Sequence, residues 1–114
     1  MKKVFAMAAL VLGILILQTP QADAGRVYAS YETRGGYTTY YHVITETIQA
    51  TNYGYKCRVY SEPTGKYWEV GFTAKNGDVY AVLLPSTSTT QITRGNQVID
   101  RTYYGIFQVV MQYR

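Results

Sequence analysis

The chain reads as an α+β domain, one short helix packed on an antiparallel β-sheet built from consecutive hairpins, with an all-β fold as the alternative. Three observations predict it. Asn76-Gly77 is a strong hairpin signal, because a type I′ turn needs φ > 0 at both central residues. Centred there, the turn pairs Ala74 with Val79, Phe72 with Ala81 and Val70 with Leu83. A second turn at Glu62-Pro63-Thr64-Gly65 pairs Tyr60 with Tyr67, Val59 with Trp68, Arg58 with Glu69 and Cys57 with Val70. Both registers place Cys57, Val59, Trp68, Val70, Phe72, Val79, Ala81 and Leu83 on one face. A three-stranded sheet with one apolar face needs a cover, and the segment just before it supplies a candidate helix.

Residues 1–24 read as an export signal. Lys2 and Lys3 form a basic start, Val4 to Leu17 is an apolar run, and Ala22-Asp23-Ala24 offers small residues at the two positions a signal peptidase reads. A bilayer core of about 30 Å calls for about 20 apolar residues in a helix, so the run is too short for a stable membrane span. The expected mature chain starts at about Gly25 and is periplasmic or secreted. Its length fits one small domain.

Residues 25–42 form a Tyr- and Gly-rich N-terminal segment. Val27, Ala29, Tyr31 and Thr33 alternate with Tyr28, Ser30 and Glu32 until Gly35-Gly36 breaks the pattern, which fits an edge strand or a mobile arm. The single α+β domain is expected over residues 43–114. Ile44, Ile48 and Thr51 share a helical face, and Asn52-Tyr53-Gly54 looks like a helix stop, so a short helix is expected at 43–53. The β-branched Val43, Thr45 and Thr47 pull the same segment towards strand. Pro85-Ser86-Thr87-Ser88 ends the third strand. Gly95-Asn96 suits a type II′ turn pairing Ile92 with Ile99, between Thr89–Thr93 and Gln97–Arg101. Thr102 to Tyr113 reads as a final strand, since Gly105 and Val109-Val110 disfavour a helix.

Composition narrows the function. After loss of Lys2, Lys3 and Asp23, nine basic and six acidic side chains remain, a scattered net charge of +3 with no basic stripe for nucleic acid. Cys57 is the only cysteine, so no intramolecular disulfide forms; its inward register makes it an inert core thiol. His42 is the only histidine and has no carboxylate or thiol at ligand spacing. No phosphate loop, metal set or cofactor motif is present, and the chain is read as a non-enzyme with no cofactor.

Tyrosine is the compositional outlier, with 13 in the chain. The registers put Tyr60, Tyr67 and Tyr80 on the face opposite Trp68, with Arg58, Glu69, Val82 and Leu84. Tyr60 and Tyr67 oppose one another, an aromatic pair that stabilises a sheet in its own right. The same face offers an aromatic platform to a protein or a glycan, with Tyr60, Tyr67, Tyr80, Arg58, Val82 and Leu84 as the candidate partner-binding residues.

The order of elements resembles the PepSY domain. Ile44-Thr45 matches its "Ile-Thr" helix start, Gly65-Lys66-Tyr67-Trp68-Glu69-Val70 its "Gly-Lys-Tyr-x-Glu-Val" strand, and Asn76-Gly77-Asp78 with Val79-Tyr80-Ala81-Val82 its next turn and strand. The likeness covers about residues 43–84 and leaves the C-terminal third outside it. Such modules are associated with cell-envelope proteins and protease propeptides, where they bind and restrain partners. The resemblance implies an exported, non-catalytic interaction module acting on another envelope or secreted protein. The alternatives are an envelope or glycan-binding β protein, or a structural, self-assembling Tyr-rich protein.

Overall fold

The computed structural model describes residues 25–114, so the expected export signal lies outside the described residues. Six strands form one antiparallel sheet in chain order: β1 (Arg26–Arg34), β2 (Tyr37–Ala50), β3 (Gly54–Glu62), β4 (Lys66–Lys75), β5 (Asp78–Leu84) and β6 (Ser88–Gln91). A small hairpin of β7 (Thr93–Arg94) and β8 (Gln97–Val98) follows, and the helix α1 (Arg101–Tyr113) ends the chain. The helix covers one face of the sheet, chiefly over β1 and β2. The architecture is a mostly antiparallel β-sheet with one short helix. Among the described residues no helix is long and apolar enough to cross a membrane.

The central hairpins have the registers expected from their turns. Cys57 faces Val70, Arg58 faces Glu69, Val59 faces Trp68 and Tyr60 faces Tyr67. Ala74 faces Val79, Phe72 faces Ala81 and Val70 faces Leu83. Asn76 (φ 56°) and Gly77 (φ 85°) both lie in the left-handed region that a type I′ turn requires. Cys57, Val59, Val70, Phe72 and Ala81 are buried, and Trp68, Val79 and Leu83 pack against them. The core is completed by Val43, Ile92, Ile106, Val109 and Val110. Each of these aliphatic side chains contributes about 1.5–3 kcal/mol by leaving water.

The helix and the last strand exchange places relative to expectation. Residues 43–50 belong to β2, not to a helix: Val43 is fully buried opposite Val59, and the segment pairs with β1 on one side and β3 on the other. Sheet pairing on both sides overrides the weak helical periodicity, and the β-branched side chains agree with it. The i, i+4 spacing of Ile44 and Ile48 has a local cause. The β2–β3 register slips between Ile44 and Gln49, a bulge. The Thr47 hydroxyl donates to the Ile44 carbonyl (2.6 Å) and accepts from the Arg58 amide (2.8 Å), satisfying groups the bulge leaves unpaired. Gly54 is not a helix stop. A Cβ there would collide with the Phe72 carbonyl, so the residue is small to let β3 approach β4. The expected boundary between residues 42 and 43 falls inside β2.

Residues 101–113, expected as a strand, are the helix. Asp100 caps it, its Oδ1 accepting from the Tyr103 amide at 3.0 Å. Ile106, Val109 and Val110 form its buried stripe, and Phe107 meets Phe72 with ring centroids 5.5 Å apart. Gly105 permits close helix–strand contact: a Cβ at this position would sit 2.6 Å from the Ala29 carbonyl oxygen and 2.8 Å from the Ser30 Cβ. The Gly95-Asn96 turn has the expected register, with Thr93 facing Val98 and the Ile99 amide bonded to the Ile92 carbonyl (2.8 Å). Its arms are shorter than expected. Ser88–Gln91 pairs instead with β5, and Arg101 opens the helix.

Candidate functional site

The helix and the β7–β8 hairpin leave the other sheet face without a covering element among the described residues. Alternation along each strand decides what that face displays. Register sets Tyr28 opposite His42, His42 opposite Tyr60, and Tyr60 opposite Tyr67. Four aromatic rings therefore form one ladder across β1, β2, β3 and β4. Their centroids lie 5.7, 6.2 and 4.8 Å apart in that order. Contacts of this kind contribute about 0.5–1.5 kcal/mol per pair beyond burial.

Two arginines flank the ladder. Arg26, on the first strand, lays its guanidinium 3.9 Å above the Tyr60 ring, and its Nη2 donates to the Tyr67 hydroxyl at 3.3 Å. Arg58 lies 5.4 Å from the Tyr67 ring centroid. Cation–ring contacts at such partly exposed sites are worth about 0.5–1 kcal/mol. On the other side of the ladder, Tyr31 faces Tyr40 with centroids 6.5 Å apart, and Tyr40 faces Glu62. His42 Nε2 stands 3.7 Å from the Glu62 carboxylate, while its buried Nδ1 has no hydrogen-bond partner. Glu69 faces Arg58 as expected, but its carboxylate lies 3.9 Å from the Lys56 ammonium and Arg58 turns to Tyr67.

The six expected face residues do not form one patch. Arg58, Tyr67 and Leu84 meet at an open hollow of about 450 Å³, with Trp68, Glu69 and Pro85. Tyr60 adjoins Tyr67 in the ladder. Tyr80 faces Thr73 on β4, six residues beyond Tyr67. That spacing is about 20 Å along a strand, so Tyr80 is on the same face but outside the cluster. Val82, opposite Gly71, lies with Tyr80, Thr73 and Thr89 around a separate hollow.

Arg26, Tyr28, His42 and the Tyr31–Tyr40 pair were not among the expected site residues. Part of the signal was present. A two-residue turn at Gly35-Gly36 pairs Arg34 with Tyr37 and carries Tyr31 opposite Tyr40. Extending that register would set Tyr28 opposite Val43, on the inner face. A bulge between Tyr28 and Ser30 shifts the pairing so that Tyr28 meets His42 on the outer face.

Cys57 is fully buried, and burial, with the negative charge of Glu69 adding to it, pushes its thiol up to about 12. It therefore stays protonated and unreactive at neutral pH. Among the described residues no group of three or more His, Cys, Asp or Glu side chains is placed to hold a metal ion. Compared with family models, curated proteins and solved structures, the chain has no match in any of the three.

Proposed function

We propose that this protein is an exported, non-catalytic interaction module that binds another envelope or secreted protein through the open face of its sheet. The carrying observation is the Tyr28–His42–Tyr60–Tyr67 ladder with Arg26 and Arg58 beside it, on a face that the chain's own helix does not cover. Tyr and Arg are the side chains most enriched at the energetic centres of protein interfaces. Tyr28, Tyr31, Tyr40 and Tyr67 are each between 46% and 59% exposed, so they keep surface to lose on binding. Export is supported by the basic start at Lys2-Lys3 and the apolar run before Gly25. The PepSY resemblance over residues 43–84 implies a role of the same kind; its strands after residue 54 keep the expected registers, whereas its helix start at Ile44-Thr45 lies in β2.

The geometry favours a protein over a glycan. Sugars stack on exposed ring faces, whereas the ladder rings are tilted at 71°, 49° and 47° to their neighbours and Arg26 occupies one face of Tyr60. It also favours the sheet face over the β1 edge as the contact. The Thr102 hydroxyl of α1 donates to the Tyr31 carbonyl at 3.3 Å, and the bulge in β1 interrupts that edge. Both features discourage strand-to-strand assembly.

Affinity capture from an envelope extract tests the reading, with wild-type protein run beside Tyr67→Ala and Arg58→Ala variants. The expected result is one partner retained by wild type and reduced about tenfold or more by each truncation, the range for central interface residues. Equal retention by all three would rule out this face.

A further inference from the structure

On the helix-covered side, a partly enclosed cavity of about 250 Å³ lies between the first turn of α1 and the ends of β1, β2 and β4. Its walls include Tyr41, Trp68, Tyr103, Glu32, Asp100 and Arg34. Tyr41 and Trp68 meet at right angles, with ring centroids 5.5 Å apart. The Tyr41–Trp68 contact is edge-to-face, and with Tyr103 these rings make three of the residues that border the cavity aromatic. Two carboxylates stand against one guanidinium, so the lining carries a net negative charge within a basic chain. Glu32 is held on both oxygens: the Tyr41 hydroxyl donates to Oε1 at 3.0 Å, and the Arg34 guanidinium pairs with Oε2 at 2.9 Å. The Arg34 side chain is 84% exposed, so water weakens that pair, and the Asp100 carboxylate has no such partner among the ion pairs of the described residues.

We infer that this cavity is a binding site for the head of a small organic ammonium ion. Ring faces attract weakly hydrated cations, and the attraction grows when the site excludes water. The flanking carboxylates add the countercharge. An anion is disfavoured although a helix starts here, because Asp100 already occupies the cap and brings its own negative charge. The volume falls below the ~300–1,000 Å³ of sites for drug-sized ligands, which limits the occupant to a head group or a very small molecule. The phenols report the same field. Tyr41 is pushed up to about 12 by burial and by its bond to Glu32, and Tyr103 is raised by burial and then by Asp100 and Glu32. The site does not depend on the open-face reading, since it lies on the other side of the sheet.

Trp68 is the only tryptophan, so its fluorescence reports occupancy directly. The full exported chain is titrated with choline and with n-butylammonium, against the neutral isosteres 3,3-dimethylbutanol and n-butanol, at constant ionic strength. The expected result is a saturable change with at least one cation, at a dissociation constant of about 1 mM or tighter, and none with the neutral compounds. A response to choline alone assigns a quaternary ammonium, free or from a lipid head group; a response to butylammonium assigns a primary amine. Glu32→Gln and Asp100→Asn should each weaken binding about threefold to tenfold. Asp100→Asn keeps a capping oxygen, so its folded state is secured independently of the charge it loses. Absence of a saturable response to both cations, an equal response to the neutral isosteres, or undiminished binding by both variants would overturn the assignment.

Discussion

Replacing Gly105 with alanine separates two physical effects of opposite sign. In an isolated helix, alanine is favoured over glycine by about 1 kcal/mol, so Gly105→Ala would stabilise α1 if helix propensity were the only term. The packing predicts the reverse. The added Cβ would lie 2.6 Å from the Ala29 carbonyl oxygen and 2.8 Å from the Ser30 Cβ, well inside van der Waals contact. Strand β1 cannot simply retreat. The Ser30 hydroxyl donates to the Thr102 carbonyl at 2.7 Å, and the Thr102 hydroxyl donates to the Tyr31 carbonyl at 3.3 Å, tying the two elements at this level. Overpacking of this kind costs about 1–3 kcal/mol, so after subtracting the propensity gain of about 1 kcal/mol the variant should be destabilised by up to about 2 kcal/mol. Urea unfolding followed by Trp68 fluorescence gives the number, with the midpoint falling and the slope unchanged. Gln112→Ala, on the exposed last turn, serves as the reference and should change stability by less than about 0.5 kcal/mol. A stabilised Gly105→Ala protein would refute the close helix–strand contact.

Asp100→Ala removes the cap of α1 and should cost about 1 kcal/mol by the same assay, whereas Asp100→Asn should cost much less. A double-mutant cycle on Tyr60 and Tyr67, whose rings lie 4.8 Å apart, should return a coupling of about 0.5–1.5 kcal/mol; a value near zero would mean that the pair is not in contact. Cys57 should resist dithionitrobenzoate in the native protein at pH 7 and react fully once unfolded. Its folded thiol keeps the proton to about pH 12, while the unfolded chain loses it near 9.0. The stability it contributes is therefore complete below about pH 9 and is lost as pH rises towards 12. Across that window a Cys57→Ala variant should show a slope of stability against pH shallower than wild type by about 1.4 kcal/mol per unit; identical slopes would contradict the burial.

The turns were the most legible part of this chain. Asn76-Gly77 and Glu62-Pro63-Thr64-Gly65 fix backbone geometry locally, so the pairing of β3, β4 and β5 followed from a few residues, and with it the buried Cys57 and the Tyr60–Tyr67 pair. The helix was only partly legible, because Gly105 and Val109-Val110 disfavour a helix on local propensity alone. Gly105 lowers propensity, but it is needed for a tertiary contact more than seventy residues away in sequence. The capping carboxylate of Asp100 and the Ile106, Val109, Val110 spacing did mark a helix there. In β2 the error ran the other way, since a bulge gave a strand the spacing of a helix. A bulge in β1 also concealed part of the candidate site. The one-residue bulge beside Ala29 flips the side-chain alternation and turns Tyr28 from the inner face to the outer. Tyr80 shares the face as its register implies, but sharing a face says nothing about distance along a strand.

Site-specific photocross-linking in living cells decides whether the open sheet face meets a partner. A benzoylphenylalanine replaces Tyr67 or Tyr40 on the open face, and in parallel Gln112 or Arg101 on the exposed side of α1. A discrete adduct with one other protein is expected from the Tyr67 and Tyr40 positions and none from the helix. Adducts confined to the helix positions, or none from the sheet face, would contradict that expectation.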